Sequence, residues 1–397
     1  MSMATQTAIR RPAPLAWGFY AWIALLSLLI LLGLYAFYRQ TTEGHYLTGS
    51  TDLAPWGLYV VGVVFFVGAS AGATVIGLMV HGFGREDYAP LATRAIVLAL
   101  VSLIAAVAFI AVDVGSIPRM LRIPFIWQNP TSLFMYSSIT YYLFGFLLLC
   151  ELYYTLKINR GVATQRDRTV AKWLALAAVT FGLVTLQATD GALFAVVKAR
   201  ELWNTSLLPA HFTLLALVSG AAIMICIAVL SGAIYRRRIV GPQTLAHMGS
   251  LLAFFIAGAA FLEFFDFLVY TYSDVAASDG ALHFLTTTHL PLTIIHVAGL
   301  VLAFAILVFR RGRATPWLTI AAVLTIIAGV AYRYNLVSVG MGISLYPFLD
   351  HEHYSPTVIE ILTSVGIVAL VSLAYAVITR VLPLEEKTAT AHRESSS

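Results

Sequence analysis

Charge is what this chain has little of. Only 11% of its 397 residues are Asp, Glu, Lys or Arg, roughly half the share of an ordinary soluble domain. The hydrophobic residues, 60% of the total, fall in runs of 20 or more, the length that crosses the hydrocarbon of a bilayer. That pattern excludes a soluble core. Cysteine is scarce as well, with Cys150 and Cys226 as the two examples, both inside apolar runs. No CxxC or ferredoxin-type spacing exists, so an iron–sulfur cluster held by this chain is excluded. The two thiols read as small packed residues rather than a disulfide. The net charge of +5 does not point to nucleic acid, because the basic residues sit in short connections between apolar runs.

What is present is a series of ten apolar runs, near 17–38, 56–82, 91–114, 133–156, 171–196, 208–235, 245–272, 286–309, 316–336 and 357–381. Helices are expected for all of them, since a helix satisfies its own backbone hydrogen bonds in lipid. The first run is too long for a signal-peptide core and no A-x-A-like site follows it, so it is expected to be retained. The expected fold is all-α and polytopic, with a tail over 1–16, a ten-helix transmembrane domain over 17–381 and a second tail over 382–397. If the N-terminus is inside, 18 of the 24 basic residues fall in inner segments. The positive-inside rule then places both termini in the cytoplasm. Twelve of the nineteen acidic residues fall in outer loops or the outer thirds of spans, so the chemistry is expected near the outer surface.

Ionisable residues inside a membrane are costly and mark function more often than packing. The stretch "AVDVGSIPRMLRIPFIWQNPTSLFM", residues 111–135, ends a span at Asp113 and breaks at prolines before the next span begins. Asp113 is either a helix-end residue among headgroups or, paired with Arg119 folded back toward it, a ligand for a polar ring. "RIPFIWQNP" is too short and broken for a span but apolar enough to lie in the interface as a lid over a lipid-accessible cleft. Asn129-Pro130-Thr131-Ser132 reads as a turn and N-cap opening span 4. In "FLEFFDFLVY", Glu263, Asp266 and Tyr270 share one face of span 7, with aromatic neighbours expected to desolvate the carboxyls. They serve either packing or proton transfer. Asp190 with Gln187 repeats the pattern on span 5. Glu151, near the inner end of span 4, reads as a snorkelling interface residue. His289 and His296 share a face of span 8, and His211 and His289 lie at depths that an axially ligated haem could use. Asp350 to His353, "DHEH", reads as a solvated loop in preference to a metal site. "GASAG", Gly68 to Gly72, marks close helix packing.

"PWGLYVVGVVFFVGASAGA", residues 55–73, resembles the second-span signature of the family of membrane subunits that includes polysulfide-reductase and NrfD-like proteins. Asp113 to Arg119 followed by Asn129 to Leu133 resembles that family's D-L-G-R-P and N-x-T-S-P segments. The arginine before proline is absent here, Leu133 replaces the second proline, and Arg119 is the substitute. "YRYNLVSVG" and "HYSPTVIEILTSVGIVA", from Tyr332 and His353, resemble the ten-span branch, which includes membrane subunits of certain uptake hydrogenases. The resemblance implies two helix bundles plus flanking helices in a prokaryotic cytoplasmic (inner) membrane. It further implies a haem-free subunit that binds menaquinone or ubiquinone. Expected partners are an outer-face iron–sulfur (ferredoxin-like) subunit and a further catalytic or cytochrome subunit. Carried across, Trp56, Gly57, Tyr59, Asp113 and Tyr136 would bind quinone. Asp113, Arg119, Asp190, Glu263 and Asp266 would carry proton chemistry. The rival expectations are a proton-coupled transporter using Asp190, Glu263 and Asp266, and a b-haem cytochrome subunit.

Overall fold

The computed structural model describes residues 17–122, 129, 131–200, 202–234, 238–272, 282–309, 315–343 and 354–384, the side chains of Arg119 and Leu121 excepted. Ten helices are long and apolar enough to span a membrane: α1 (Trp17–Glu43), α2 (Leu58–Gly82), α3 (Glu86–Val114), α4 (Leu133–Asn159), α5 (Gln165–Ala195), α6 (Leu208–Ile234), α7 (Pro242–Tyr272), α8 (Leu290–Phe309), α9 (Thr315–Gly342) and α10 (Val358–Val381). Among the described residues there is no strand. The chain is an all-α, multi-pass membrane protein, as its apolar runs dictate.

Two helices run further than their apolar runs. α1 continues past Tyr38 because Arg39 and Glu43 pair one turn apart, and because Gln40 is buried against α2 and α3 rather than exposed. α9 continues past Leu336 because its last two turns, through Val337, Gly340 and Met341, pack inside the protein. A polar residue at a helix end does not stop the helix when protein covers it.

Helices α2–α5 and α6–α9 form two bundles that meet along α2 and α6, while α1 packs on α10 at the flank. The seam is made by absent side chains. Gly72 of α2 lies on Gly220 of α6, and a Cβ at Gly72 would overlap the Ala216 backbone. Small residues at such spacing let two backbones approach where lipid offers no hydrophobic drive. Beside this contact lies Arg333 of α9, 1% exposed. It is one of the six basic residues that the positive-inside count leaves outside the inner segments, and its side chain is buried in the protein. Its guanidinium donates to the Gly329 carbonyl at 3.0 Å and to Ser219 Oγ at 3.0 Å, and lies 5.3 Å from the centre of the Phe65 ring. These contacts tie α9 and α6 to α2.

Overpacking a tight contact costs about 1–3 kcal/mol. Gly72→Ala should therefore lower the thermal unfolding midpoint of the detergent-solubilised chain, while Gly18→Ala, with nothing within 4 Å of the new methyl, should leave it in place. Equal midpoints for both variants would contradict the close seam.

Candidate functional site

Between α2, α3, α4 and α5 lies a cleft of about 1090 Å³, at the upper end of the range for small-molecule sites. Its lining runs from Asp113 and Asn129 to Gly145 and Leu149 on α4. Its walls are aliphatic, among them Val60, Val64, Leu103 and Val107. Phe134, Tyr142, Phe146 and Leu149 line it and are also exposed on the outside of the bundle, so one flank of the cleft borders lipid. The polar groups among the lining residues are few: Asp113, Arg122, Asn129, Ser132, Ser137, Ser138, Tyr141, Tyr142 and Asp190.

Each is placed by local structure. α3 ends just after Asp113 because Gly115 takes a left-handed conformation, φ 66°, a backbone turn that favours glycine. His45 packs where a Cβ of Gly115 would stand. Gln40 Nε2 donates to the Val112 carbonyl at 3.1 Å, and Gln40 Oε1 accepts from the Tyr59 hydroxyl at 2.6 Å, which fixes the turn that carries Asp113. Asp190 is buried and accepts hydrogen bonds from Ser137 Oγ at 2.7 Å and Tyr141 Oη at 3.1 Å. α5 contains a π-helical stretch, Phe181–Gln187, immediately before it. One extra residue in a turn rotates the rest of the helix by roughly 100°, and Thr213 donates to the Leu183 carbonyl inside that stretch at 3.0 Å. At the rim, Trp56 stacks on Trp203 at 5.5 Å and meets Phe194 edge-on at 5.3 Å. Trp203 is in turn fixed by donating to the Leu336 carbonyl at 2.7 Å.

The structure thus brings Trp56, Asp113 and Asp190 into one cleft. Tyr59 is not among the lining residues and supports the Asp113 turn from behind. Gly57 lies under the Tyr354 ring, whose hydroxyl accepts from Leu58 N at 2.7 Å and donates to Glu360 at 2.8 Å. Tyr136 is half exposed and does not line the cleft. The Arg119 side chain, residues 123–128 and 130 of the expected lid, and the "DHEH" run lie outside the described residues. The residues at 117–122 form a short helix, Ile117–Arg122. The turn into α4 forms, with Ser132 N donating to the Asn129 carbonyl at 3.1 Å and Thr131 bonded to Asn129 Oδ1, and Ser132 stands at the N-cap position without a capping hydrogen bond from its side chain.

A second polar cluster occupies the other bundle. Glu263 of α7 meets His296 Nε2 of α8 at 3.0 and 3.1 Å and His211 Nε2 of α6 at 3.4 Å. His296 Nδ1 lies 3.0 Å from the Ala328 carbonyl, a contact that requires a hydrogen on Nδ1. The Nε2–carboxyl contact then needs one more proton, on either partner. Tyr332 Oη sits 2.9 Å from His211 Nδ1. The aromatics expected to surround Glu263 do not: Phe264, Phe265 and Phe267 are exposed on the outside of α7, and two histidines surround the carboxyl in their place. Asp266, a turn on, lies near Thr205. An axial haem would need two imidazoles on opposite sides of a porphyrin. His211 and His296 instead converge on one carboxyl, and His289 faces Asn335 at 3.3 Å.

Glu151 is the clearest departure. Its depth in the span places it at the interface, yet it is 0% exposed and faces inward. Depth along a helix does not reveal which face a residue occupies.

Residues 46–343 match the family described as polysulphide reductase, NrfD. The chain belongs to this family. It is similar to a selenate reductase subunit of Mesobacillus selenatarsenatis, with 24% identity covering 94% of this chain and 96% of that protein. It is also similar to the Hdr-like menaquinol oxidoreductase integral membrane subunit of Archaeoglobus fulgidus, with 23% identity covering 90% of this chain and 92% of that one. In this NrfD-family chain, Ser137, Tyr141 and Phe194 line the cleft and Trp203 backs Trp56, and no motif in the sequence marks any of them. The spacing of Ser137 and Tyr141, one turn apart on α4, is the available signal.

Removing the acceptor from two buried hydroxyls costs about 1–3 kcal/mol for each group left unsatisfied. Asp190→Ala should therefore lower the unfolding midpoint clearly, and Asp190→Asn, which keeps an acceptor, should lower it less. The reverse order would contradict the hydrogen-bonded arrangement.

Proposed function

We propose that this chain is the quinone-binding membrane subunit of a redox complex. One observation carries the reading: a lipid-bordered cleft with aliphatic walls and an aromatic rim that holds two carboxyl groups, Asp113 and Asp190. A quinone has a matching form, an apolar tail that arrives through lipid and a flat ring with two polar oxygens. One related protein is described as a menaquinol oxidoreductase subunit, which supports a menaquinone or ubiquinone as the occupant.

A bound quinone supplies two-electron, two-proton chemistry. Asp113 stands at the mouth, where it can hydrogen-bond a ring oxygen and exchange its proton with water. Asp190 is held deeper by Ser137 and Tyr141, ready to accept or return a proton through either hydroxyl. Trp56, Phe134 and Phe194 offer flat surfaces against which a ring can lie. Glu263 with His211 and His296, and Asp266 one turn on, hold exchangeable protons in the second bundle and serve proton transfer rather than quinone binding. With no cluster ligands in the sequence, electrons come from a separate protein at the Asp113 end. An iron–sulfur (ferredoxin-like) subunit, accompanied by a catalytic or cytochrome subunit, has the chemistry required. Solitary purification of a chain that carries solute instead would favour the transporter reading.

The basic bias makes the Asp113 end external. A cysteine at Ser50, in a chain whose own Cys150 and Cys226 are replaced by Ala, should react with an impermeant thiol reagent from outside intact cells. Reaction only after lysis would reverse the orientation. Asp113→Asn keeps shape and removes the titrating proton. A positioned acid or base is worth about 10²–10⁴ in rate, so quinone-linked turnover of the assembled complex should fall at least about tenfold. Asp266→Asn should leave the quinone KM unchanged. Asp113→Asn with unaltered rate and quinone KM would reduce Asp113 to a helix-end residue.

A further inference from the structure

Neither the cleft nor the histidine cluster uses Glu151. The side chain is fully buried in α4, and neither carboxyl oxygen has a hydrogen-bond partner among the described residues. It projects onto α2 at Gly77, where a Cβ would overlap Oε1, with Ala175 of α5 alongside. One turn along α4 toward Asn159 lies Thr155, 1% exposed. Its hydroxyl is 3.1 Å from His81 Nε2, and His81 is one turn beyond Gly77 on α2. The two helices run parallel here, so Gly77 faces Glu151 and His81 faces Thr155 on successive turns. His81 sits in a second π-helical stretch, Leu78–Gly82, a local form that often accompanies function. Nearby, Lys157 pairs with Asp167 at 2.8 Å.

An unpartnered carboxyl in this setting is costly when ionised, and a membrane protein carries such a group where protons move. The cleft gives it a destination. Gly145 and Leu149 line the cleft, and they precede Glu151 by about 9 and 3 Å along the α4 axis, at 1.5 Å per residue. Glu151 therefore lies at a depth just beyond the cleft, on the inward face of α4, with His81 and Thr155 between it and the Asn159 end.

We propose that Glu151 relays protons between the Asn159 end of the bundle and the cleft, with His81 and Thr155 as its access. The purpose of the relay rests on the quinone reading. Reduction of a quinone takes two electrons from the partner protein and two protons. Glu151 releases a proton toward the cleft, and its carboxylate then takes the next one by way of His81. Quinol oxidation runs the same transfers backwards. With the Asn159 end cytoplasmic, a proton that takes this route enters from the side opposite the electron donor, so its passage moves charge across the membrane, whereas a proton exchanged at Asp113 does not.

The test uses the purified full-length chain and infrared spectroscopy during transfer from H₂O to D₂O. Glu151→Gln, which is isosteric, should remove one carboxylic-acid C=O band, identifying it. In the wild-type chain that band should shift rapidly on exchange. His81→Phe, and independently Thr155→Val should the first variant fold poorly, should slow the shift at least about tenfold, while Tyr141→Phe on the cleft side should not. A rate indifferent to both inner variants overturns the proposal, and so does the absence of any band that Glu151→Gln removes. The quinone reading is judged separately by binding of a soluble quinone analogue to the same samples. Failure of the wild-type chain to bind it contradicts that reading and leaves the exchange rates to decide the relay.

Discussion

An ionisable side chain inside a bilayer has no water to turn to, so each one must be answered by another part of the protein. That requirement shapes this molecule more than any apolar contact does. Asp190 is answered by two hydroxyls from α4, Glu263 by histidines from α6 and α8, and Arg333 by carbonyls and a serine at the seam. Apart from the bond of Arg333 to the Gly329 carbonyl one turn back on α9, each answer crosses from one helix to another. The polar groups that make the protein reactive are therefore also what fixes the relative placement of its helices. Glu151, buried with neither oxygen bonded among the described residues, departs from so costly a rule, and that departure is what marks it for a moving proton.

The seam between the bundles follows from the same constraint. Without a hydrophobic force between helices in lipid, α2 and α6 associate through close backbone contact at Gly72 and Gly220. That approach holds Ser219 within reach of Arg333. On the other side of α2, the glycine at Gly77 makes room for Glu151. One helix with small residues on two faces thus serves both bundles.

Much of this is legible in the sequence. Ten spans can be drawn because an apolar run of sufficient length needs no partner to announce itself. The ends of α1 and α9 are not legible, because Gln40 looks like a loop residue and is a buried helical one, and because the residues after Leu336 pack inside the protein. Asp113, Asp190 and Glu263 stand out as charges in lipid, and the structure places Asp113 and Asp190 in one cleft. Their neighbours do not stand out. Helices that are apolar on all faces carry little periodic signal, so nothing in the spacing shows that Ser137 and Tyr141 face Asp190, or that Glu263 faces histidines instead of the phenylalanines beside it. The family signature around Trp56 mixes residues at the cleft with residues that hold its frame. Gly57 and Tyr59 are of the second kind, and one sequence cannot separate the two.

The central claim is that a quinone occupies the cleft between α2 and α4. Photolabelling of the purified chain with an azido-quinone, followed by mass spectrometry, tests it directly. The account predicts adducts on the cleft-lining stretches from Trp56 to Val64 and from Phe134 to Leu149, suppressed by excess unmodified quinone. Adducts confined to α7 and α8, or labelling that excess quinone does not suppress, would contradict it.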